Sequence, residues 1–234
     1  MQVGGVEVLV KRKNIKNLHL NVLPPSGSVR VSAPLNIKDD VIQTFLSSRI
    51  NWIRKKQNEL KTQERESFRE HVSGEDHYFF GRRYILEVVY SSGKAGVEIK
   101  NKKKITLSVK PDSDIQKRKK VLDDWYRENL KEFIKNNREK WEEKVGVTAN
   151  EIRIKKMRTR WGSCNHRAKR IWLNLELAKK PISCIEYVLV HEIIHLVEKK
   201  HNNDFVFLLE KYFPKWKSEK ENLNKFILSC ENWK

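Results

Sequence analysis

Cysteine is scarce in this chain. The three present, Cys164, Cys184 and Cys230, are odd in number, widely spaced and form no CxxC pair. That excludes a disulfide framework and a cysteine zinc knuckle, and it suits a reducing, cytoplasmic setting. Glycine (9) and proline (6) are few among 234 residues, while Leu, Ile, Val and Phe recur throughout, so a disordered or low-complexity chain is excluded. No apolar run can span a bilayer. The longest, Tyr187 to Val197, is interrupted by His and Glu, and the opening MQVGGVEVLVKRKN lacks the apolar core of a signal peptide. A soluble, intracellular protein is expected, with no membrane partner. Acidic residues are also short: 30 Asp and Glu face 49 Lys and Arg, a formal net charge of +19. Eight basic residues with no acid among them stand between Arg153 and Arg170, including Arg158 and Arg160. They form either a basic rim that concentrates anionic substrates or a solvated surface.

The patterning is mixed, and the fold class expected is α+β. Val6, Val8 and Val10, then Leu18, Leu20 and Val22, then Val29 and Val31 alternate with polar residues, as antiparallel strands do. Asp39 and Asp40 are placed to cap a helix carrying Ile42, Phe45, Leu46, Ile50 and Ile53. A second β region runs from His77 to Pro111. An amphipathic helix follows from Asp112 to Val145, stopped at Gly146. This suggests a β-rich region over 1–111 and a second domain over 112–234. In the latter, Ile152 and Ile154 begin a short strand, and RIWLNLEL alternates strictly from Ile171 to Leu177, setting Trp172, Asn174 and Glu176 on the opposite face. A central helix is expected from about Ile182 to Glu198, with two more over Asp204 to Phe213 and Lys215 to Ser229. No internal repeat is evident.

The central helix contains HEIIH. His191 and His195 lie four residues apart, which on a helix places them on one face about 5–6 Å apart, within reach of a single zinc ion. Glu192 is then placed to take a proton from water activated by the metal. Burying two imidazoles and a carboxyl on an otherwise apolar helix without partners would be costly. A catalytic zinc usually takes three protein ligands. His201, ten residues past His191, reaches the metal only if the chain leaves the helix between Leu196 and His201, which the polar run EKKHNND favours. The HExxHxxGxxH pattern has a glycine where this chain has Glu198; Glu210 is the fallback ligand.

Upstream stands RWGSC, Arg160 to Cys164, read as a tight turn at Trp161 and Gly162 packed under the metal helix, with Cys164 a buried small residue rather than a nucleophile. Together with LN at Leu173 and Asn174, YVLVHEIIHL at Tyr187 to Leu196, His201 and Phe205, this segment resembles the YgjP-like metallopeptidase-domain family and, more loosely, SprT-like zincins. The likeness extends to Ala33 and Pro34, to NWI at Asn51 to Ile53 and to GRRYILEV at Gly81 to Val88. It implies a zincin-like C-terminal half after a β-rich N-terminal half. It also implies one zinc ion on His191, His195 and His201, with Glu192 as catalytic acid and base.

The expected activity is that of a zinc-dependent metallopeptidase acting on peptide or protein substrates. Two alternatives stay open. One is a metal-dependent nucleotide pyrophosphohydrolase, since the family also carries a predicted UTP pyrophosphatase label; the other is a nucleic-acid-associated SprT-like protease. If the active-site strand offers its edge to an extended substrate, Trp172, Asn174 and Glu176 border the cleft. Arg160, Trp172 and Asn174 are the candidate substrate contacts. Arg160, His166 and Asn174 are candidates for stabilising an oxyanion.

Overall fold

Alternating valines build the first sheet. The computed structural model describes residues 1–23, 26–62, 69–157 and 159–225, so Arg158, Cys230 and the expected continuation of the last helix to Ser229 lie outside the described residues. Strands β1 (Gln2–Val3), β2 (Val6–Lys13), β3 (His19–Leu23) and β4 (Ser28–Pro34) pair in the order β1-β2-β4-β3. The outer pairs are antiparallel as expected. The central pair is parallel, with Val8 beside Val29 and Val10 beside Val31. Alternation specifies which face is buried, and it is indifferent to strand direction. Helices α1 (Asp39–Ser47) and α2 (Ile50–Thr62) replace the single helix expected. Ile42, Leu46 and Ile53 pack on Val3, Val8, Val29, Val31 and Ala33. The residue before α1 is Lys38, whose side chain makes no cap; Asp39 and Asp40 sit in the first turn instead, where their charge suits the helix dipole, and Asp39 also pairs with Arg12.

A second sheet repeats the arrangement. Strands β5 (Asp76–Phe79), β6 (Arg82–Tyr90), β7 (Gly96–Lys100) and β8 (Lys104–Val109) run in the order β5-β6-β8-β7, again with a parallel central pair between antiparallel outer ones. The long helix α3 (Ile115–Val145) follows. The Asp114 side chain accepts from Lys117 N–H at its start, and Gly146, in the left-handed region at φ 77°, ends it.

The described residues divide into two compact units, one reaching residue 62 and one beginning at residue 69. The boundary expected between 111 and 112 falls inside the second. The physical reason is a shared core: Leu122, Tyr126, Leu130 and Ile134 of α3 bury against Leu86, Ile105 and Leu107 of the sheet and against the helix bearing HEIIH.

Three strands, β9 (Glu151–Lys155), β10 (Gly162–Asn165) and β11 (Arg170–Asn174), form a small sheet in the order β10-β11-β9. The strand expected to run to Leu177 stops at Asn174, whose side chain accepts from Glu176 N–H and starts a 3-10 turn over Leu175–Lys179. Leu175 and Leu177 are buried in the turn just as they would be in a strand, and Ala178 is buried beside them. Helices α4 (Ile182–Ile194), α5 (Asn203–Tyr212) and α6 (Trp216–Lys225) complete the unit. Among the described residues, no helix is long and apolar enough to cross a membrane.

Candidate metal centre

Helix α4 is anchored at its start and ends in a tightened turn. Gly81, at φ +79°, lies so close to Pro181, the residue before α4, that a Cβ there would sit 2.8 Å from the Pro181 Cα. At the far end, His191 and Glu192 occupy the last turn and His195 is the capping residue. The N–H groups of Leu196 and Val197 bond to carbonyls only three residues back, which tightens the final turn and releases the chain. His201 returns just ahead of α5, whose cap Asn202 accepts from Phe205 N–H. Glu198, at the place of the glycine in the HExxHxxGxxH pattern, is not in the left-handed region, so this turn needs no glycine.

Three imidazoles meet there. His201 Nε2 lies 3.0 Å from His191 Nε2 and 3.1 Å from His195 Nε2. Phe205, 1% exposed, packs beneath all three, its ring centre 4.9, 4.6 and 4.8 Å from those of His191, His195 and His201. His195 Nδ1 donates to the Glu198 carbonyl at 2.9 Å, which fixes the tautomer and leaves the Nε2 lone pair turned to the other two rings. Burial, reinforced by the neighbouring histidines and Lys220, holds His191 down at about 3, and burial likewise lowers His195. Nitrogen lone pairs converging in this way suit a cation. A tetrahedral zinc with bonds of about 2.0–2.1 Å spaces its nitrogens about 3.3 Å apart, close to what the three rings offer.

Glu192 lies beside them, 5% exposed, with Oε2 unpartnered among the described residues. Burial pushes its carboxyl up to about 8, against the opposing pull of the Arg160 guanidinium. Gly162 is what makes room for it: a Cβ there would stand 2.5 Å from Glu192 Oε1. The glycine of RWGSC therefore serves close approach and opens strand β10, where the sequence suggested a tight turn; its φ is not left-handed.

A cleft of about 740 Å³ opens over these groups, walled by Arg160 to Cys164 and His166 on one side, by Tyr187, Val188, His191 and Glu192 of α4, and by Lys199, Lys220, Leu223 and Asn224. Cys164 lines it, its thiol pushed up to about 11 by burial and by Glu192, which keeps it protonated. Tyr187, one turn before His191, also lines it, and burial together with Glu192 raises its hydroxyl to about 12. The sequence carried Tyr187 and Phe205 only as points of family resemblance and gave neither a part in the site. The i to i+4 spacing of Tyr187 and His191 was the available signal for the first; for Phe205 only the fold reveals it.

Of the candidate substrate contacts, Arg160 lines the cleft, and Trp172 and Asn174 do not. Trp172 carries Lys155 and Arg153 over its ring, at 4.4 and 5.5 Å. Asn174 is fully buried: its amide donates to the carbonyls of Met157 and Arg160, and its oxygen accepts from Met157 and Glu176 N–H. Glu176 is buried against Lys179. The expectation fails because β11 is the central strand; the edge strand that lines the cleft is β10. Glu210 is exposed on α5, paired with Lys217 at 3.0 Å and away from the imidazoles. Most of the basic stretch is also elsewhere, with Arg153 and Arg170 sharing Glu151, and Lys156 on Asp123.

A second group, His71, Glu75 and His77, brings three potential ligand atoms within 4.8 Å. It is committed differently. Glu75 accepts from the backbone N–H groups of Glu70 and His71, His77 lies against Glu75 and the Tyr126 hydroxyl, and the positive charges of Arg69 and Lys179 act on the site. These features describe a fold-stabilising cluster.

No curated protein matches the chain. Among solved structures, the crystal structure of the metallopeptidase zymogen of Pyrococcus abyssi abylysin is similar over 40% of this chain and 90% of its own, at 19% identity and a TM-score of 0.36. Residues 16–226 match the family described as YgjP-like, metallopeptidase domain. That span takes in nearly the whole sequence, HEIIH and His201 included, and the chain belongs to the YgjP-like metallopeptidase family.

Proposed function

We propose that the chain is a zinc-dependent peptidase in which His191, His195 and His201 hold one ion and Glu192 moves the proton. The observation that carries this reading is the convergence of three Nε2 atoms beside a buried carboxyl with an unpartnered oxygen. Zinc in such a site supplies a Lewis acid that polarises a carbonyl and lowers the pKa of water. Glu192, unpaired and with an affinity for protons near neutrality, is suited to accept a proton from the attacking water and to return it to the leaving amine nitrogen. Tyr187 keeps its proton at neutral pH, and with Arg160 it offers donors from the same cleft to a developing oxyanion, whereas His166 turns its Nδ1 to the His195 carbonyl. Asn174 acts on this group indirectly, by holding the Arg160 carbonyl. The scarcity of cysteine supports a reducing cytoplasm as the place of action.

The test uses purified, zinc-loaded protein on an unfolded protein and on quenched peptides. Glu192→Gln is expected to lower kcat by about 10²- to 10⁴-fold while one zinc per chain is retained. His191→Ala and His195→Ala should abolish zinc binding, and His201→Ala should weaken it greatly. Peptide turnover that survives Glu192→Gln, or Glu192-dependent hydrolysis of nucleoside triphosphates in place of peptides, would overturn the proposal.

A further inference from the structure

Of the described basic residues in the acid-free stretch only Arg160 lines the cleft, where two cations from elsewhere join it. Arg160, Lys199 and Lys220 line it, and among the described residues Glu192 is the only acidic side chain that does. The three cations come from separate places: the loop between β9 and β10, the loop after α4, and helix α6. Each is exposed, and none forms an ion pair with a described carboxylate.

Two of the acids next to these lysines, Glu198 and Glu219, are engaged elsewhere, and Glu221, beside Lys220, is not among the residues that line the cleft. Glu198 Oε1 accepts from Lys200 N–H, which folds the loop that returns His201. Glu219 Oε2 accepts from Ser183 Oγ at 2.9 Å and Cys184 Sγ at 3.3 Å, tying α6 to the start of α4. Thus Lys199 and Lys220 face the cleft without the compensation that Glu151 and Asp123 give the basic residues of the small sheet.

We infer that this cleft selects peptides bearing aspartate or glutamate beside the bond presented to the metal centre, with Arg160, Lys199 and Lys220 as the specificity-determining cations. The inference rests on the peptidase reading for cleavage, and on the charge pattern alone for binding. Each exposed ion pair contributes modestly, and three together give on the order of tenfold preference at low salt. Because the pairs are exposed, added salt should erode the preference.

The two readings are separated by measuring binding and cleavage independently. Fluorescently labelled acidic, neutral and basic peptides of one length are titrated into zinc-loaded Glu192→Gln protein by anisotropy. The same peptides, quenched, are offered to the unsubstituted enzyme. Expected are a Kd about tenfold lower for the acidic than for the basic peptide at 50 mM salt, a ratio near one at 1 M salt, and the same order in kcat/KM. Lys199→Glu with Lys220→Glu should invert the ratio. Lys199→Gln with Lys220→Gln, a milder change, should bring it towards one; thermal melting and zinc content report whether either variant folds. Equal Kd values for the three peptides at low salt, absence of binding, or a preference that survives in both folded variants would overturn the inference. Selective binding of the acidic peptide without Glu192-dependent cleavage would uphold the specificity and sink the peptidase reading instead.

Discussion

Gly162 and Glu192 lie thirty positions apart in sequence, yet each determines what the other can be. A methyl group at 162 would meet the Glu192 carboxyl at 2.5 to 2.8 Å, well inside contact distance. The Glu192 side chain would have to leave its position, whereas the three imidazoles are held separately by Phe205 and by the Glu198 carbonyl. Gly162→Ala should therefore retain one zinc per chain and lose at least tenfold in kcat, because a misplaced catalytic group is costly even when binding survives. Metal analysis beside a kinetic assay checks this, and loss of zinc in the variant would contradict it. Asn174 makes the complementary case, a residue near the site whose work is structural. Removing its amide leaves the Met157 and Arg160 carbonyls short of donors in a buried place, so Asn174→Ala should cost about 1–3 kcal/mol, read as a shift in urea midpoint at constant m-value.

At the scale of elements, the metal helix is only as well placed as its two ends. Gly81 is doubly constrained: its φ of +79° disfavours any side chain, and the Pro181 backbone occupies the space a Cβ would need. Gly81→Ala should destabilise the protein by about 1–3 kcal/mol or more and displace the start of α4; a urea midpoint unchanged from that of the parent protein would refute this. Such constraints decide what could be read from the chain beforehand. The HEIIH spacing, the polar run around His201 and the Gly146 stop of α3 are local signals, legible because a helix obeys a fixed period and has recognisable ends, whereas the start expected at Asp112 lies at the Asp114 cap. The parallel pairing of β2 with β4 was not legible, because an alternating strand looks alike in either direction. Nor was the 3-10 turn after Asn174, which buries Leu175 and Leu177 much as a strand would. The roles of Gly162 and Asn174 depend on contacts between segments far apart in sequence, and no periodicity records those.

For the whole molecule, two sheets share one strand order and one parallel central pair without any repeat in sequence, since the topology asks only for alternation and turns at suitable intervals. The +19 charge is a property at this scale as well, and it bears on stability in acid. His77 is 3% exposed; burial first, then Arg69, His71 and Lys179, lowers it from 6.5 to about 3. The Glu75 carboxylate, 3.4 Å away, pulls the other way and is outweighed; on the other side stands the uncharged Tyr126 hydroxyl. Above pH 6.5 the residue is neutral folded and unfolded, so it gives stability no pH dependence there. Below 6.5 the unfolded chain takes up a proton that the folded chain refuses, so stability falls as the pH is lowered through the window from 6.5 to about 3. At pH 5 this one residue accounts for up to about 2 kcal/mol, in a chain whose other basic groups already repel one another. In urea unfolding of zinc-free protein Glu192 and His191 titrate as well, the first making stability rise and the second making it fall as the pH is lowered, so the fall that His77 adds between pH 6.5 and 5 is read as the difference in slope on its removal. His77→Gln should lower the midpoint at pH 7.5 yet flatten that fall, and a slope equal to that of the unsubstituted protein would show that His77 is not its source.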